Sequence, residues 1–288
     1  MRLAHITDIH VARPAGLADL FNKRVLGVVN LHLLGRGSHF SQEVQAALPG
    51  AVLATCPDQI LCTGDLTSTA TEAEFEGVKS LLAPLATLPF HCIPGNHDVY
   101  TEESLGRYER YFGPKSVRRF DLGPLDLCLA DVCEPDWLSR GFATEATLKA
   151  LDASLGSSDR RVILGVHYPL RDRRGNPYGP STRALRNADA IEAIIARHAH
   201  VVAVLHGHEH HGFRTTLGGC TGTTGDGERC VPILDPGAAG YSHLPKRGRT
   251  AHFNVYEVDA TGIGVVERYA WDGSAFVPEH GGAYATGG

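Results

Sequence analysis

The sequence predicts a layered α/β fold, and three observations predict it. Short apolar runs of strand length alternate with longer amphipathic stretches as far as about residue 205, the pattern of strand–helix–strand units. A closing stretch from Val231 to Tyr269 then offers strands in quick succession with turns between them. Several of the apolar runs end directly in clusters of Asp, Asn and His, at the place where an open α/β sheet binds its ligands.

The elements follow in order. Leu3 to Thr7 is the first strand and runs into Asp8-Ile9-His10. The segment Leu17 to Leu34 stands apart, being mostly apolar, with Lys23 and Arg24 interspersed and Arg36 just beyond. Leu17, Leu20, Phe21 and Val28 share a helix face, while Gly27 opposes a helix. Three readings of this segment stay open: a packed cap or pocket lid, a dimer contact, or a surface that accepts a lipid or membrane. Ser41 to Leu53 is a helix, with Ser41 as its N-terminal cap and Glu43 in its first turn.

Gln59 to Thr63 is the second strand and ends at Gly64-Asp65. Thr71 to Leu82 is a helix with acidic residues early and Lys79 late, as the helix dipole prefers. Phe90 to Pro94 is the third strand and ends at Gly95-Asn96-His97-Asp98. Leu125 to Asp131 is the fourth, with no obvious ligand at its end. Ala143 to Leu155 is helical, and Arg161 to Val166 is the fifth strand, ending at His167-Tyr168-Pro169. Ala188 to His198 is the last predicted helix. Val201 to Leu205 is the sixth strand and ends at Gly207-His208-Glu209-His210. Val231 to Leu234, His252 to Val258 and Ile263 to Tyr269 complete the strands. We expect one domain over residues 1–278, with 17–40 as an inserted cap, lid or interaction segment and 279–288 as a Gly-rich flexible tail.

Composition narrows the function. Of 288 residues, 43% are hydrophobic and 20% charged, which excludes a disordered chain. A formal net charge of -5 argues against a general nucleic-acid binder, so no nucleic-acid polymer is expected as partner. The N-terminus has no apolar stretch ending in a cleavage site, and no apolar run is long enough to cross a bilayer. The expected location is cytoplasmic, with peripheral membrane contact open through 17–34. Seven cysteines form no regular framework. Cys62, Cys92 and Cys128 lie in apolar runs and read as core residues. Cys220 and Cys230 bracket a hairpin turn and could face each other across two strands; in a reducing compartment free thiols are favoured over a disulfide.

The five clusters supply Asp8, His10, Asp65, Asn96, His97, His167, His208 and His210. Singly, each has a bland reading: Asp-x-His and Gly-Asp are common, and Gly-Asn favours turns. As an ordered series at strand ends they form a ligand set for two adjacent metal ions. Hydrolysis of a phosphate ester needs its charge neutralised and a hydroxide available near neutral pH, and two ions roughly 3.5–4 Å apart supply both. An aspartate is the natural shared ligand, since it offers an anionic oxygen to each ion. The mixed nitrogen and oxygen set suits Mn, Fe or Zn.

The ordered series Asp-x-His, Gly-Asp, Gly-Asn-His-Asp, His-Tyr-Pro and Gly-His-x-His, from about Leu3 to Gly240, resembles the calcineurin-like metallophosphoesterase superfamily. Within it, the chain is similar to the bacterial class III cyclic-nucleotide phosphodiesterases and glycerophosphodiesterases. The resemblance implies roles. Asp8, His10 and His210 would hold one ion, and Asn96, His167 and His208 the other. Asp65 would bridge both, together with a hydroxide. His97 would hold no metal and would act beside the scissile phosphate, with Asp98 orienting a neighbour. The expected fold is then an α/β/β/α four-layer sandwich of two mixed β-sheets flanked by helices, with the dinuclear site at the strand ends.

The expected function is metal-dependent phosphoester hydrolysis, with a small phosphodiester as the favoured substrate. The alternatives are a pyrophosphatase acting on a nucleotide-diphosphate sugar lipid, a phosphomonoesterase, or a non-catalytic scaffold. The lipid reading rests only on Leu17 to Leu34, and retention of every ligand and of His97 argues against the scaffold. His206 and His211 flank the last cluster, but strand alternation points them away from it. His5, His91, His198, His200 and His252 read as core or surface residues, and His243 stays open. Arg171, Arg173 and Arg174 follow Pro169 closely, so one of them is a candidate to reach a substrate phosphate. Three features depart from the family pattern: the long gap between His10 and Gly64, Tyr168 where many relatives carry His or Asn, and the Cys220 to Cys230 hairpin.

Overall fold

Twelve strands form two six-stranded sheets in the computed structural model, which describes residues 1–13, 39–136, 138–218 and 229–279. The first sheet has the order β12-β11-β10-β1-β2-β3. Its strands are β1 (Arg2–Ile6), β2 (Gln59–Cys62), β3 (Phe90–Cys92), β10 (His252–Asp259), β11 (Gly262–Trp271) and β12 (Phe276–Pro278). The second has the order β4-β5-β6-β7-β9-β8, built from β4 (Val117–Asp121), β5 (Asp126–Ala130), β6 (Val162–Gly165), β7 (Val201–Leu205), β8 (Phe213–Leu217) and β9 (Val231–Asp235). Both are mixed: β1, β2 and β3 run parallel, as do β5, β6, β7 and β9, and the flanking strands pair antiparallel.

Alternation along the strands divides the core into layers. Leu3 and Leu61 point inward and meet Leu127, Leu129, Ile163 and Leu205 of the second sheet. Ala4, Ile6, Ile60 and Cys62 point outward and pack beneath α1 (Gln42–Ala54), α2 (Glu72–Leu82) and α3 (Glu102–Phe112). On the far side Val162, Leu164 and Val204 pack against α4 (Glu145–Gly156) and α5 (Ala188–Arg197). This is the α/β/β/α sandwich expected. The parallel strands are buried on both faces, which is why they read as continuous apolar runs. Their C-terminal ends share one edge of the sandwich, and the ligand clusters all leave from it.

The sequence reading missed four elements. Helix α3 fully buries only Ser104 and Tyr108, and its apolar stripe of Leu105, Tyr108, Tyr111 and Phe112 is built largely from aromatic residues set among five charged ones. Strand β4 (VRRFD) is an edge strand without a buried residue, and β8 and β12 also lie at sheet edges. The segment Leu17 to Leu34 lies outside the described residues, as do Cys220 and His280 to Gly288. Cys230 is disulfide-bonded, which corrects the expected free thiol. Glu279 was expected in a flexible tail, but its backbone NH donates to Arg268 O at 2.8 Å and continues the pairing along β11. Among the described residues, no helix is long and apolar enough to cross a membrane.

Helix α2 begins with a capping box between Thr71 and Glu74. Glu74 is fully buried, and burial raises its carboxyl to about 7 against hydrogen bonds from Thr69 and Thr71 that favour charge. The protonated form therefore favours folding. Stability falls as pH rises from the ordinary 4.5 to about 7 and is flat beyond. We expect Glu74→Gln to lack that fall, which amounts to ~3 kcal/mol. Urea unfolding of both proteins across this range checks it, and a constant difference between them would contradict it.

Candidate metal centre

Each ligand loop turns sharply as it leaves its strand. Seven non-glycine residues have positive φ among the described residues, and five of them are Asp8 (52°), His10 (52°), Asp65 (53°), His208 (74°) and His210 (64°). Left-handed backbone at such residues costs on the order of 1–3 kcal/mol each, and its concentration in one place marks a functional site. The motif glycines permit the close approach that results. A Cβ on Gly95 would stand 2.1 Å from Asp65 Oδ1, and one on Gly207 would stand 2.0 Å from Thr7 Oγ1.

Two groups of ligand atoms result. Asp8, His10, Asp65 and His210 bring one donor atom each within 4.8 Å of one another, and so do Asp65, His167 and His208. In the first group, His10 Nε2 lies 3.1 Å from His210 Nε2 and 3.5 Å from Asp65 Oδ2, and His210 Nε2 lies 3.2 Å from Asp8 Oδ1. In the second, His167 Nε2 lies 3.6 Å from Asp65 Oδ1, 3.3 Å from His208 Nδ1 and 3.3 Å from Asn96 Oδ1. Asp65 thus turns one oxygen to each group. All these histidines and aspartates are buried, and Asn96 is half-buried.

The donor set fits metal ions. His167 Nδ1 sits 2.7 Å from the carbonyl oxygen of Thr63, which can only accept, so Nδ1 carries the proton. Its Nε2 lone pair then faces the oxygens of Asn96 and Asp65, acceptor against acceptor. Burial disfavours the cationic form of His167 and, more strongly, of His208, so extra protons are a poor remedy. Burial also opposes charge on Asp8, yet His210 and His10 hold its carboxyl well below the usual range. Its Oδ1 is buried without a hydrogen bond. Converging lone pairs in a dry site are complementary to cations.

His97 borders this cluster without joining either group of donor atoms. Its ring stands 4.7 Å from that of His10, edge-on. Its backbone NH donates to Asp65 Oδ1 at 2.7 Å, and its Nδ1 lies 2.8 Å from Ser68 O and 2.9 Å from Tyr100 Oη. Asp98 accepts from the backbone NH groups of Leu66, Thr67 and Gly95, tying the Asp65 loop to the Asn96-His97 loop.

The other sequence candidates fall outside the cluster. His206 is buried beside Asp235, 3.2 Å away, and His211 is exposed, so neither joins the ligands. His243 packs beside Gly273. Tyr168 is fully buried and packs on the rings of His167 and His208 rather than lining a pocket. Arg171 is tied to Glu192.

Three aromatic residues that sequence reasoning missed support the site. Tyr241 Oη lies 2.9 Å from His210 Nδ1, leaving Nε2 for the cluster. Phe40 stacks at 4.2 Å on His10 and 5.3 Å from Tyr241, to which it is also bridged by backbone. Tyr100 holds His97 as described. Phe40 and Tyr241 carry no local signal, because their partners are remote in sequence, whereas Tyr100 lies three residues from His97. Hydrogen bonds to ligating histidines set their tautomer and orientation. Tyr241→Phe should therefore weaken metal binding by about 10–100-fold. Competition with a chelator measures this, and unchanged affinity would remove Tyr241 from the site.

A model of the calcineurin-like phosphoesterase family matches residues 1–212. The chain is 26% identical over 154 residues to a protein named a probable cyclic nucleotide phosphodiesterase in Vesicomyosocius okutanii, covering 53% of this chain and 62% of that protein. It is 28% identical over 162 residues to the 3′,5′-cyclic adenosine monophosphate phosphodiesterase of Escherichia coli, covering 53% and 54%. The match thus spans little more than half the length of these curated relatives. Among solved structures, a dimetal phosphatase from Danio rerio superposes with a TM-score of 0.60 at 14% identity, covering 96% of this chain and 98% of the other. A purple acid phosphatase from yellow lupin gives 0.63 at 15% identity, covering 96% and 52%. At such identities the two structures establish the shared fold alone.

Proposed function

The chain belongs to the calcineurin-like phosphoesterase family, and from that premise we propose that it is a dinuclear metal-dependent phosphodiesterase. Asp8, His10 and His210 would hold one ion and Asn96, His167 and His208 the other, with Asp65 offering an oxygen to each. The observation that carries this reading is the division of the Asp65 carboxylate, with Oδ2 beside His10 and Oδ1 beside His167. When bound, the two ions neutralise phosphate charge and make hydroxide available near neutral pH. The nitrogen-rich set favours Mn, Fe or Zn over Mg or Ca.

The chain's own residues complete the reaction. The Ser68 carbonyl keeps a proton on His97 Nδ1, which leaves Nε2 as the ring nitrogen that would pass a proton to the leaving oxygen. Similarity to proteins named phosphodiesterases favours a diester over a monoester. Hydrolysis of bis(p-nitrophenyl) phosphate and of p-nitrophenyl phosphate by protein loaded with Mn, Fe or Zn tests the proposal. We expect the diester to be turned over faster, with activity lost to a chelator and restored by metal. No turnover of either ester with any of the three metals would overturn it.

A further inference from the structure

The loop that follows β6 returns on itself through a bridge between Arg171 and Pro177. Its tip is rigid. Asp172 Oδ1 accepts from the backbone NH of Arg174 at 2.8 Å and of Asn176 at 2.9 Å, and Gly175 N closes the turn on Asp172 O at 2.9 Å. Arg171 is engaged by Glu192 at the base of the loop. Arg173 and Arg174 stand exposed at the tip, and their side chains have no hydrogen bond or ion pair among the described residues.

These two arginines border the metal-ligand turn. A cavity of about 250 Å³ is lined by Arg173, Arg174, Tyr178, Glu209 and Phe213. A second, of about 480 Å³, is lined by Arg173, His211, His252 and Arg268 among others. Arg173 belongs to both, so the cavities meet at its side chain. Tyr178, which lines the first cavity, stands with its ring 6.1 Å from that of the proposed ligand His208, so one side chain separates this cavity from the ligand loop. The acids of this trough already have donors. Tyr178 Oη donates to Glu209 Oε1 at 2.8 Å, the turn occupies Asp172, and Glu279 lies 3.1 Å from Arg268. Arg173 and Arg174 both line the first cavity beside the hydrogen-bonded carboxylates of Asp172 and Glu209, and are the cations there without a partner among the described residues. Two guanidinium groups carried on one hydrogen-bonded turn suit a phosphate dianion.

We infer that Arg173 and Arg174 form a subsite for a second phosphate group carried by the substrate. The preferred diesters are then those with a further phosphate on the alcohol arm. This inference rests on the phosphodiesterase reading above, and it adds a substrate class to it.

Two esters that differ only in that group test it. Thymidine 5′-(p-nitrophenyl phosphate) and its 3′-phosphorylated counterpart are compared on the Mn-loaded protein. The 3′-phosphorylated ester should have a KM about tenfold lower, the effect of one or two charge-assisted hydrogen bonds. The preference should weaken as salt rises. In the double variant Arg173→Gln, Arg174→Gln, the two esters should share one KM while bound metal stays at the wild-type level. Calorimetry with thymidine 3′,5′-bisphosphate and thymidine 5′-monophosphate gives the same comparison without turnover. If neither ester is hydrolysed, the hydrolase reading fails, and the calorimetric preference still decides the subsite. Equal KM and equal affinity in the wild type, or a preference that survives in the variant, would overturn the inference. So would free inorganic phosphate altering turnover of the unphosphorylated ester in the wild type but not in the variant, because the site would then serve a free anion.

Discussion

Asp65→Asn should leave the protein with at most one bound metal ion and lower kcat/KM for bis(p-nitrophenyl) phosphate by roughly a thousandfold, since metal stabilisation of the transition state is worth several kcal/mol. The substitution keeps shape and volume. It removes one of the two anionic oxygens that face the separate donor groups, 3.5 Å from His10 and 3.6 Å from His167. The amide oxygen would keep the bond to the His97 backbone NH, now 2.7 Å from Oδ1. That bond turns the amide NH₂ toward His10, where a cation is repelled. Elemental analysis together with the rate checks this. Two ions per chain with wild-type turnover would show that Asp65 is not shared.

His97→Asn should separate chemistry from metal binding. His97 lies outside both converging donor groups, so bound metal should match the wild type. Loss of a positioned proton donor should lower kcat by about 10²–10⁴-fold. The loss should be larger for a diester with an alkyl leaving group than for a p-nitrophenyl ester, whose leaving oxygen hardly needs a proton. An equal loss for both would make His97 a stabiliser of developing charge instead. Turnover close to wild type on both esters would remove it from the reaction.

Much of this site was legible because its residues sit where the hydrophobic pattern changes. Val201 to Leu205 is an unbroken apolar run and Leu3 to Thr7 is apolar apart from His5 and Thr7, and Asp8 and His208 follow them with little or no intervening chain. The periodicity that marks the strands therefore also marks the ligands. The left-handed turns were foreshadowed only by Gly64, Gly95 and Gly207, while the strain itself falls on Asp8, His10, Asp65, His208 and His210. No local signal announced it, because only the close approach of loops from two sheets enforces it.

What stayed hidden is what depends on remote contact. Tyr241 acts on His210 across 31 residues, and Gln45 donates to the carbonyl of Ile9 across 36. The fate of Arg171 was equally unreadable. Its neighbours in sequence suggest a phosphate contact, but Glu192 on α5 claims it and leaves the tip to Arg173 and Arg174. Helix α3 escaped because its cap at Thr101 pairs with Ser104 rather than with an acidic residue, and its apolar face is mostly half-buried tyrosine and phenylalanine.

Anomalous diffraction from crystals of Mn-loaded protein tests the dinuclear centre most directly. The expected result is two peaks about 3.5–4 Å apart, with an oxygen of Asp65 reaching each. One peak should be ringed by Asp8, His10 and His210, and the other by Asn96, His167 and His208. A single peak, or two peaks that do not share Asp65, would contradict the account.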